Sequence, residues 1–335
     1  MWLLENHTPY VAERSWTRDH HGVHWYLVAI RGTFLVDPDG RLSLADEQAP
    51  PVLAPLYAAD AGVSSLLFDS DLLETKPGTD VLVLGRAFAP RGRPAPAVPV
   101  VLRVGVLEKQ LVVYGNRVYV DGAMGLGTTS AQPFVEQPID YERAFGGGDV
   151  ADPDPQRHRI DERNPIGRGF PPKASVWANE LAHCVEYPDG SHRRGPAGFG
   201  PIDRHWLPRR TLAGTYDAAW VGRKKPLLPD DYDPRFGHCA PIDQQLPQPL
   251  GGGERVGVLN MSPEGSLVFE LPRVSFRMRT RIGSTRHDHG ATLSTITIEP
   301  AERRVSVVWR SSLRVPARQV DDLRTTDIRE EGRGR

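Results

Sequence analysis

Apolar and polar residues alternate, or β-branched residues run together, over the first third of the chain and again over the last. In the first third "WYLVAIRGTFLV" (residues 25 to 36) leads through "DPDG" into "RLSL", two apolar runs around a Pro- and Gly-bearing turn, which predicts a hairpin. "DVLVLGRAFA" is followed by the Pro-rich "PRGRPAPAVP" and then by "VVLRVGVLEKQLVVYGNRVYV", whose runs are separated by short turns and predict three or four more strands. The last third repeats the pattern. "ERVGVLNM", "SPEG" and "SLVFELP" read as one hairpin, and "TLSTITIEP", "AERR" and "VSVVWRSSL" as another. In "VSFRMRTRI" the period of two puts Val274, Phe276, Met278 and Thr280 on one face and Ser275, Arg277, Arg279 and Arg281 on the other, a basic ladder offered to water or to an acidic partner.

Residues 131–250 break this rhythm: Pro, Gly, Trp, Asp and Arg crowd together and few strand patterns survive. The expected class is therefore mainly β, with antiparallel sandwich or distorted-barrel sheets at both ends and an irregular Pro/Gly-rich centre containing short helices. The expected divisions are an N-terminal β-rich region over 1–130, the centre over 131–250, a C-terminal hairpin region over 251–322 that packs with the N-terminal part, and a flexible tail over 323–335, where "RTTDIREEGRGR" lacks apolar periodicity. Within the centre, "GPIDRHWLPRRTLAGTYDAAW" (200 to 220) predicts a helix over 206–220 with Pro208 in its first turn. Trp206, Arg209 or Arg210, Ala213, Asp217 and Trp220 then form one stripe. Indole N–H groups and charges need partners when buried, so the stripe is either an internal Trp-Arg-Asp lattice or a protein-binding patch.

Charge and composition narrow the function classes. Lys+Arg (41) and Asp+Glu (42) leave a formal charge of -1, without the basic excess that sequence-independent nucleic-acid binding requires. No apolar run approaches the roughly 18 residues of a membrane span, and "MWLLENHTPY" lacks the basic and apolar regions of a signal peptide, so a cytoplasmic protein is expected. Cys184 and Cys239 cannot build a disulfide framework.

Four motifs invite chemistry, each weakly. "RHDHG" sets His287 and His289 two apart as half of a metal site, with His20, His21, His24 or His183 as conceivable third ligands, but "GSTRHDHG" reads as a polar loop. Each cysteine follows a histidine, yet neighbours on a strand point to opposite faces, so neither pair makes its own dyad there, and a buried Cys is commonly a small hydrophobe. Gly122, Gly125 and Gly127 follow a strand without the order or the Lys-Ser/Thr of a phosphate loop. Asp230, Asp231 and Asp233 lack the glycine and final Glu of a calcium loop. These readings predict no catalytic residue, no metal and no cofactor, with a metal-dependent hydrolase at His287 and His289 as the alternative.

A family resemblance adds to this. Through "YERAFGG", "RNPIGRGF", "PAGFGPIDRHWLPRRTLAGTYDAAW", "PLLPDDYDPRFGHCAPIDQQ" and "GGERVGVLNMSPEG", in order from residue 141 to 265, the chain resembles the bacterial family labelled domain of unknown function two-one-six-nine, found beside type VI secretion genes. The resemblance implies an adaptor or chaperone that binds a PAAR-type spike-tip protein or its attached effector and helps load it onto the VgrG spike, with neither nucleic acid nor membrane as partner. A structural part of the secretion particle is the further option. The residues expected to hold the client or brace the centre are Arg143, Phe145, Asn164, Pro165, Trp206, Arg209, Arg210, Tyr216, Asp217, Trp220, Asp230, Asp233, Phe236 and Gln244. Where the family pattern would have Leu-Asp-Thr, this chain has Leu293, Ser294 and Thr295, so a carboxylate is lost.

Overall fold

The structure is a computed structural model that describes residues 2–72, 76–123, 125–192 and 194–332. It is mainly β, with several sheets, few short helices and no closed barrel. The predicted hairpins form: His24–Val36 pairs antiparallel with Leu42–Leu44, Arg255–Leu259 with Ser266–Glu270 and Thr292–Glu299 with Arg304–Val315, and the strands expected after the Pro-rich stretch include Ala97–Val104 and Leu107–Tyr114, which pair antiparallel. In the first of these Gly40 takes φ +81 and its Cα faces the Val268 carbonyl oxygen so closely that a Cβ would lie 2.3 Å from it, hence glycine closes that turn.

Strands from the two ends of the chain share sheets. In the largest, the order is Gln245–Leu246, Thr79–Val83, Thr292–Glu299, Arg304–Val315, His24–Val36, Val11–Arg18, with Leu42–Leu44 added beside His24–Val36. A second sheet runs Val185–Glu186, Leu107–Tyr114, Ala97–Val104, Arg255–Leu259, Ser266–Glu270. A third runs Leu3–Asn6, Leu323–Glu331, Ser275–Ile282, Thr285–Gly290. One hydrophobic core joins all three: Val28, Ile30, Ile296 and Val307 from the first, Val100, Leu102 and Val258 from the second, and Phe276, Met278 and Ile328 from the third.

Three expectations fail. Residues 323–331 are not a solvated tail but the strand Leu323–Glu331, seated between Leu3–Asn6 and Ser275–Ile282. Its apolar positions, Leu323 and Ile328, are too few for a periodic signal, and its neighbours supply the missing half of the ladder. "GSTRHDHG" is a hairpin and not a loop, since Thr285–Gly290 pairs with the basic strand. The sheets are also not wholly antiparallel. Leu3–Asn6 runs parallel to Leu323–Glu331, and Thr79–Val83 runs parallel to Thr292–Glu299. Both pairings close over long stretches of chain, which parallel geometry needs and local turn signals cannot announce.

The largest sheet has a second buried face, and it is polar. Alternate residues Arg31, Thr33, Asp80, Thr295, Thr297 and Ser306 point away from the apolar core and are nevertheless buried. Segments around residues 52–71 and 199–244 cover them, through contacts such as Asp71 with Arg31 and His238 with Asp80.

Ile328 is fully buried in the third sheet. Ile328→Ala should therefore cost about 2–5 kcal/mol in urea unfolding, and truncation before Leu323 should abolish the cooperative transition; a solvated tail would leave both unchanged.

Candidate functional site

The polar face of the large sheet organises the centre of the molecule. Asp80, wholly buried on the strand Thr79–Val83, forms an ion pair with Lys76 at 2.7 Å, accepts a hydrogen bond from His238 Nδ1 at 2.7 Å and another from the Cys239 amide at 2.7 Å. Burial alone would raise this carboxyl, but Lys76 and His238 outweigh it and hold it far below the ordinary carboxylate range. Nearby, Asp69 is clasped by Arg209 and Arg204. Burial opposes its ionisation too, and the two guanidinium charges again win. Arg209 also donates to the carbonyls of Ile202 at 2.8 Å and Phe236 at 3.1 Å, with its guanidinium 5.2 Å from the Phe236 ring centroid. Every branch of this Arg is thus used inside the protein.

The stretch from 206 to 220 is not one helix. A short 3₁₀ turn, Arg209–Ala213, ends at Gly214 with φ +84, and a separate helix, Ala218–Arg223, begins after Asp217. Gly214 is required because a Cβ there would lie 2.8 Å from both Asp231 and Pro229. The stripe therefore divides. Trp206 is buried edge-on against Tyr141, with ring centroids 5.5 Å apart, and Arg209 is buried beside it in sequence, so these two are internal braces. Arg210 is exposed and pairs with Glu162 at 2.8 Å. Asp217 caps the short helix by accepting from the Trp220 amide, while Trp220 Nε1 donates to the Leu227 carbonyl and its ring meets the exposed Tyr216 edge-on.

The other predicted residues scatter among supporting roles. Arg143 pairs with Asp140 at 2.8 Å. Phe145 stacks on His192, with centroids 3.9 Å apart. Asn164 is fully buried and donates to the carbonyls of Tyr141 and Phe145, and Pro165 follows it half-buried. Asp230 pairs with Lys224, and Asp233 caps the turn Pro234–Gly237, which contains Phe236. Gln244 is fully buried: its side-chain amide donates to the carbonyls of Val81 and Phe199 and its oxygen accepts from Lys109. Burial pulls that lysine down to about 8 against the pull of Asp243.

Beside this lattice lies an apolar pocket of about 130 Å³. Pro196, Ile202, Leu207, Pro208 and Leu212 line it from one segment, Pro241 and Ile242 from another, and Arg194 and Arg235 stand at its lining as well. Ile242 is 73% exposed, a large apolar side chain offered to solvent at the pocket. Apart from Pro208, expected only as a helix-start residue, none of these apolar residues was singled out from the sequence, because their shared concavity is made by segments that meet only in the fold. The acidic partners Asp69, Asp71 and Asp80 were missed too. One trace was legible: Arg31 interrupts an otherwise apolar run, which marks a charge that must be buried with company.

The candidate nucleophiles and ligands sit in unreactive settings. Burial, reinforced by the charge of Asp80, pushes the Cys239 thiol up to about 12, and burial also raises Cys184. His238 is committed to Asp80 and His183 lies between Tyr119 and Glu186. His289 uses both ring nitrogens, Nδ1 against Ser311 Oγ at 2.6 Å and Nε2 against Thr280 Oγ1 at 2.8 Å, so neither nitrogen is directed at a site shared with His287. Among the described residues, the group that brings three possible ligand atoms together is Glu5, His7 and Asp327, and Asp327 is already held by Arg329. Gly122, Gly125 and Gly127 belong to the hairpin Tyr119–Gly122 with Gly125–Thr128, not to a loop ahead of a helix. Asp231 accepts from the Thr215 amide and hydroxyl. Ser294, standing where a carboxylate was expected, is buried and donates to the Val308 carbonyl at an irregularity of the strand. No helix among the described residues is long and apolar enough to cross a membrane.

Two outcomes follow from these settings. Arg209→Ala strands Asp69 beneath the surface with only Arg204, so unfolding free energy should fall by about 3–5 kcal/mol, whereas Arg210→Ala should cost less than about 1 kcal/mol. His289 is lowered to about 4, by burial first and by His287 second. The unfolded chain protonates this imidazole near pH 6.5 and the folded chain only near 4, so stability is lost as pH falls between those values and is unaffected above about 6.5. Urea midpoints at pH 7.5 and 4.5 should show wild type losing more than His289→Gln over that interval; equal losses would refute the assignment.

The comparisons with known proteins complete the description. The model of a family described as an uncharacterized protein conserved in bacteria (DUF2169) matches residues 21–310. No curated protein and no solved structure matches the chain.

Proposed function

We propose that this chain, which belongs to the bacterial DUF2169 family, is a binding protein that holds a client and does not transform it: an adaptor or chaperone of a type VI secretion system. Its client would be a PAAR-type spike-tip protein or the effector attached to it, delivered to the VgrG spike. The observation that carries the binding reading is the apolar pocket with Ile242 standing exposed beside it. An exposed aliphatic side chain next to a concave apolar surface suits a partner's buried anchor, and the internal ion pairs beneath leave the surface preorganised. Most of the pocket is built from "PAGFGPIDRHWLPRRTLAG" and "RFGHCAPIDQQ", which lie within two of the five blocks on which the family resemblance rests. The raised thiols and the fully engaged imidazole of His289 lend nothing to a hydrolytic reading. The secretion assignment itself stands on the resemblance, and the client is where it is tested.

The structure also changes which variants test it. Trp206 and Arg209 are braces, so their loss would confuse folding with binding. Ile242→Asp and Leu212→Trp alter the exposed rim and the half-buried lining of the pocket instead. Each should reduce co-purification of a PAAR-type protein or its effector at least tenfold while the melting temperature stays within about 2 °C of wild type. Well-folded variants that still retain the client would remove the pocket from the reading, and failure of wild type to retain any PAAR-type protein or effector would remove the secretion role.

A further inference from the structure

A small cavity of about 20 Å³ lies between the polar face of the large sheet and the segments that cover it. Arg31 and Arg310 both line it. Arg31 pairs with Val308 and Arg310 with Ala29 across adjacent strands, so the two guanidinium groups are diagonal neighbours on one face. Arg31 lies 3.7 Å from Asp71, reaches Ser306 Oγ only at 3.4 Å, and rests 4.9 Å above the Phe68 ring centroid. Arg310 Nη2 donates to the Ser70 carbonyl at 2.9 Å. Arg31 Nε, Arg310 Nε and Arg310 Nη1 are buried and meet no protein acceptor. Three charged-group donors left in this condition are costly unless something in the cavity accepts from them.

Charge points the same way. Lys76 is matched by Asp80, and Arg209 by Asp69, which the less buried Arg204 shares. Glu299, the other carboxylate that acts on Arg31, is paired with Arg304. Arg31 and Arg310 are left with Asp71 alone, and Asp71 is itself engaged by the Val52 amide. The trio carries one positive charge too many, and burial pushes Asp71 towards its neutral form, which enlarges the excess. A buried net charge is tolerated only when it is paired. The hydroxyls of Thr297 and Ser306 add further donors to the lining. At about 20 Å³ the cavity suits one small body, a water or a monatomic ion, better than a polyatomic oxyanion.

We propose that this cavity is a binding site for a single monatomic, monovalent anion of chloride size, held by Arg31 and Arg310. Such an anion closes the charge of the trio and accepts from the three unmatched guanidinium N–H groups. It also fixes the covering segments to the sheet, because Phe68, Ser70 and Gly237 of those segments line the same cavity.

Bromide is the probe. A crystal soaked in sodium bromide should show one anomalous peak between the two guanidinium groups. The melting temperature should rise by about 5 °C as chloride replaces gluconate from about 1 to 150 mM at constant ionic strength. In Arg310→Met, which removes the excess charge, that rise should disappear. An ordered water without anomalous signal at saturating bromide overturns the proposal, as does a chloride-dependent rise that Arg310→Met retains in full. If Arg310→Met does not fold, the bromide soak of the wild-type protein decides the question alone.

Discussion

A sheet buried on both faces must satisfy whatever stands on its second face, and here that face carries Arg31, Asp80, Thr295, Thr297 and Ser306. The pairing of Asp80 with Lys76 and His238 is the constraint from which the rest follows. A carboxylate with no solvent exposure persists as a charge only if cations and amides converge on it. The Cys239 and Ala240 amides do so, which places the turn after Pro234–Gly237 against the sheet. Once that turn is seated, Arg209 meets the Phe236 carbonyl and Asp69, and the irregular centre acquires one position on the sheet.

This explains how a segment with so little regular secondary structure can form a defined surface. Beside its turn-type backbone hydrogen bonds, buried side chains meet several of its carbonyls: Asn164 donates to those of Tyr141 and Phe145, and Gln244 to that of Phe199 and to Val81 of the sheet. Side-chain amides thus add to what the backbone turns supply. The apolar pocket at Leu207, Leu212 and Ile242 is then a consequence of two loops braced from below.

Much of the architecture was legible in the chain. The hairpins at 24–44, 255–270 and 292–315 and the strands within 97–114 were announced by period-two alternation around Gly- and Pro-bearing turns. The basic strand was also correct: Phe276, Met278 and Thr280 are buried, while Arg277 and Arg281 face solvent and Arg279 reaches Asp288. What could not be read was partnership. Leu323–Glu331 looks like a solvated tail because its own residues do not alternate cleanly, and only the strands on either side make it a strand. The predicted Trp and Arg stripe failed for a related reason, since Gly214 breaks the helix between its two halves and sends Trp206 inward and Trp220 towards the surface.

The sequence by itself determined the local terms: which runs prefer a pleated backbone, where turns close, and that the centre is rich in groups that need hydrogen-bond partners. Those depend on neighbours along the chain, where steric and conformational preferences act. Tertiary structure decided which polar residues of the large sheet are covered and which groups meet them. Arg31 and Asp80 are buried because segments distant in the chain fold over them: residues 69–71 bring Asp71 to Arg31, and residues 236–240 bring the His238 ring and the Cys239 amide to Asp80, whose cation Lys76 is close in sequence. Electrostatic satisfaction in a buried layer is a property of three-dimensional proximity, and the order of residues along the chain carries no direct record of it.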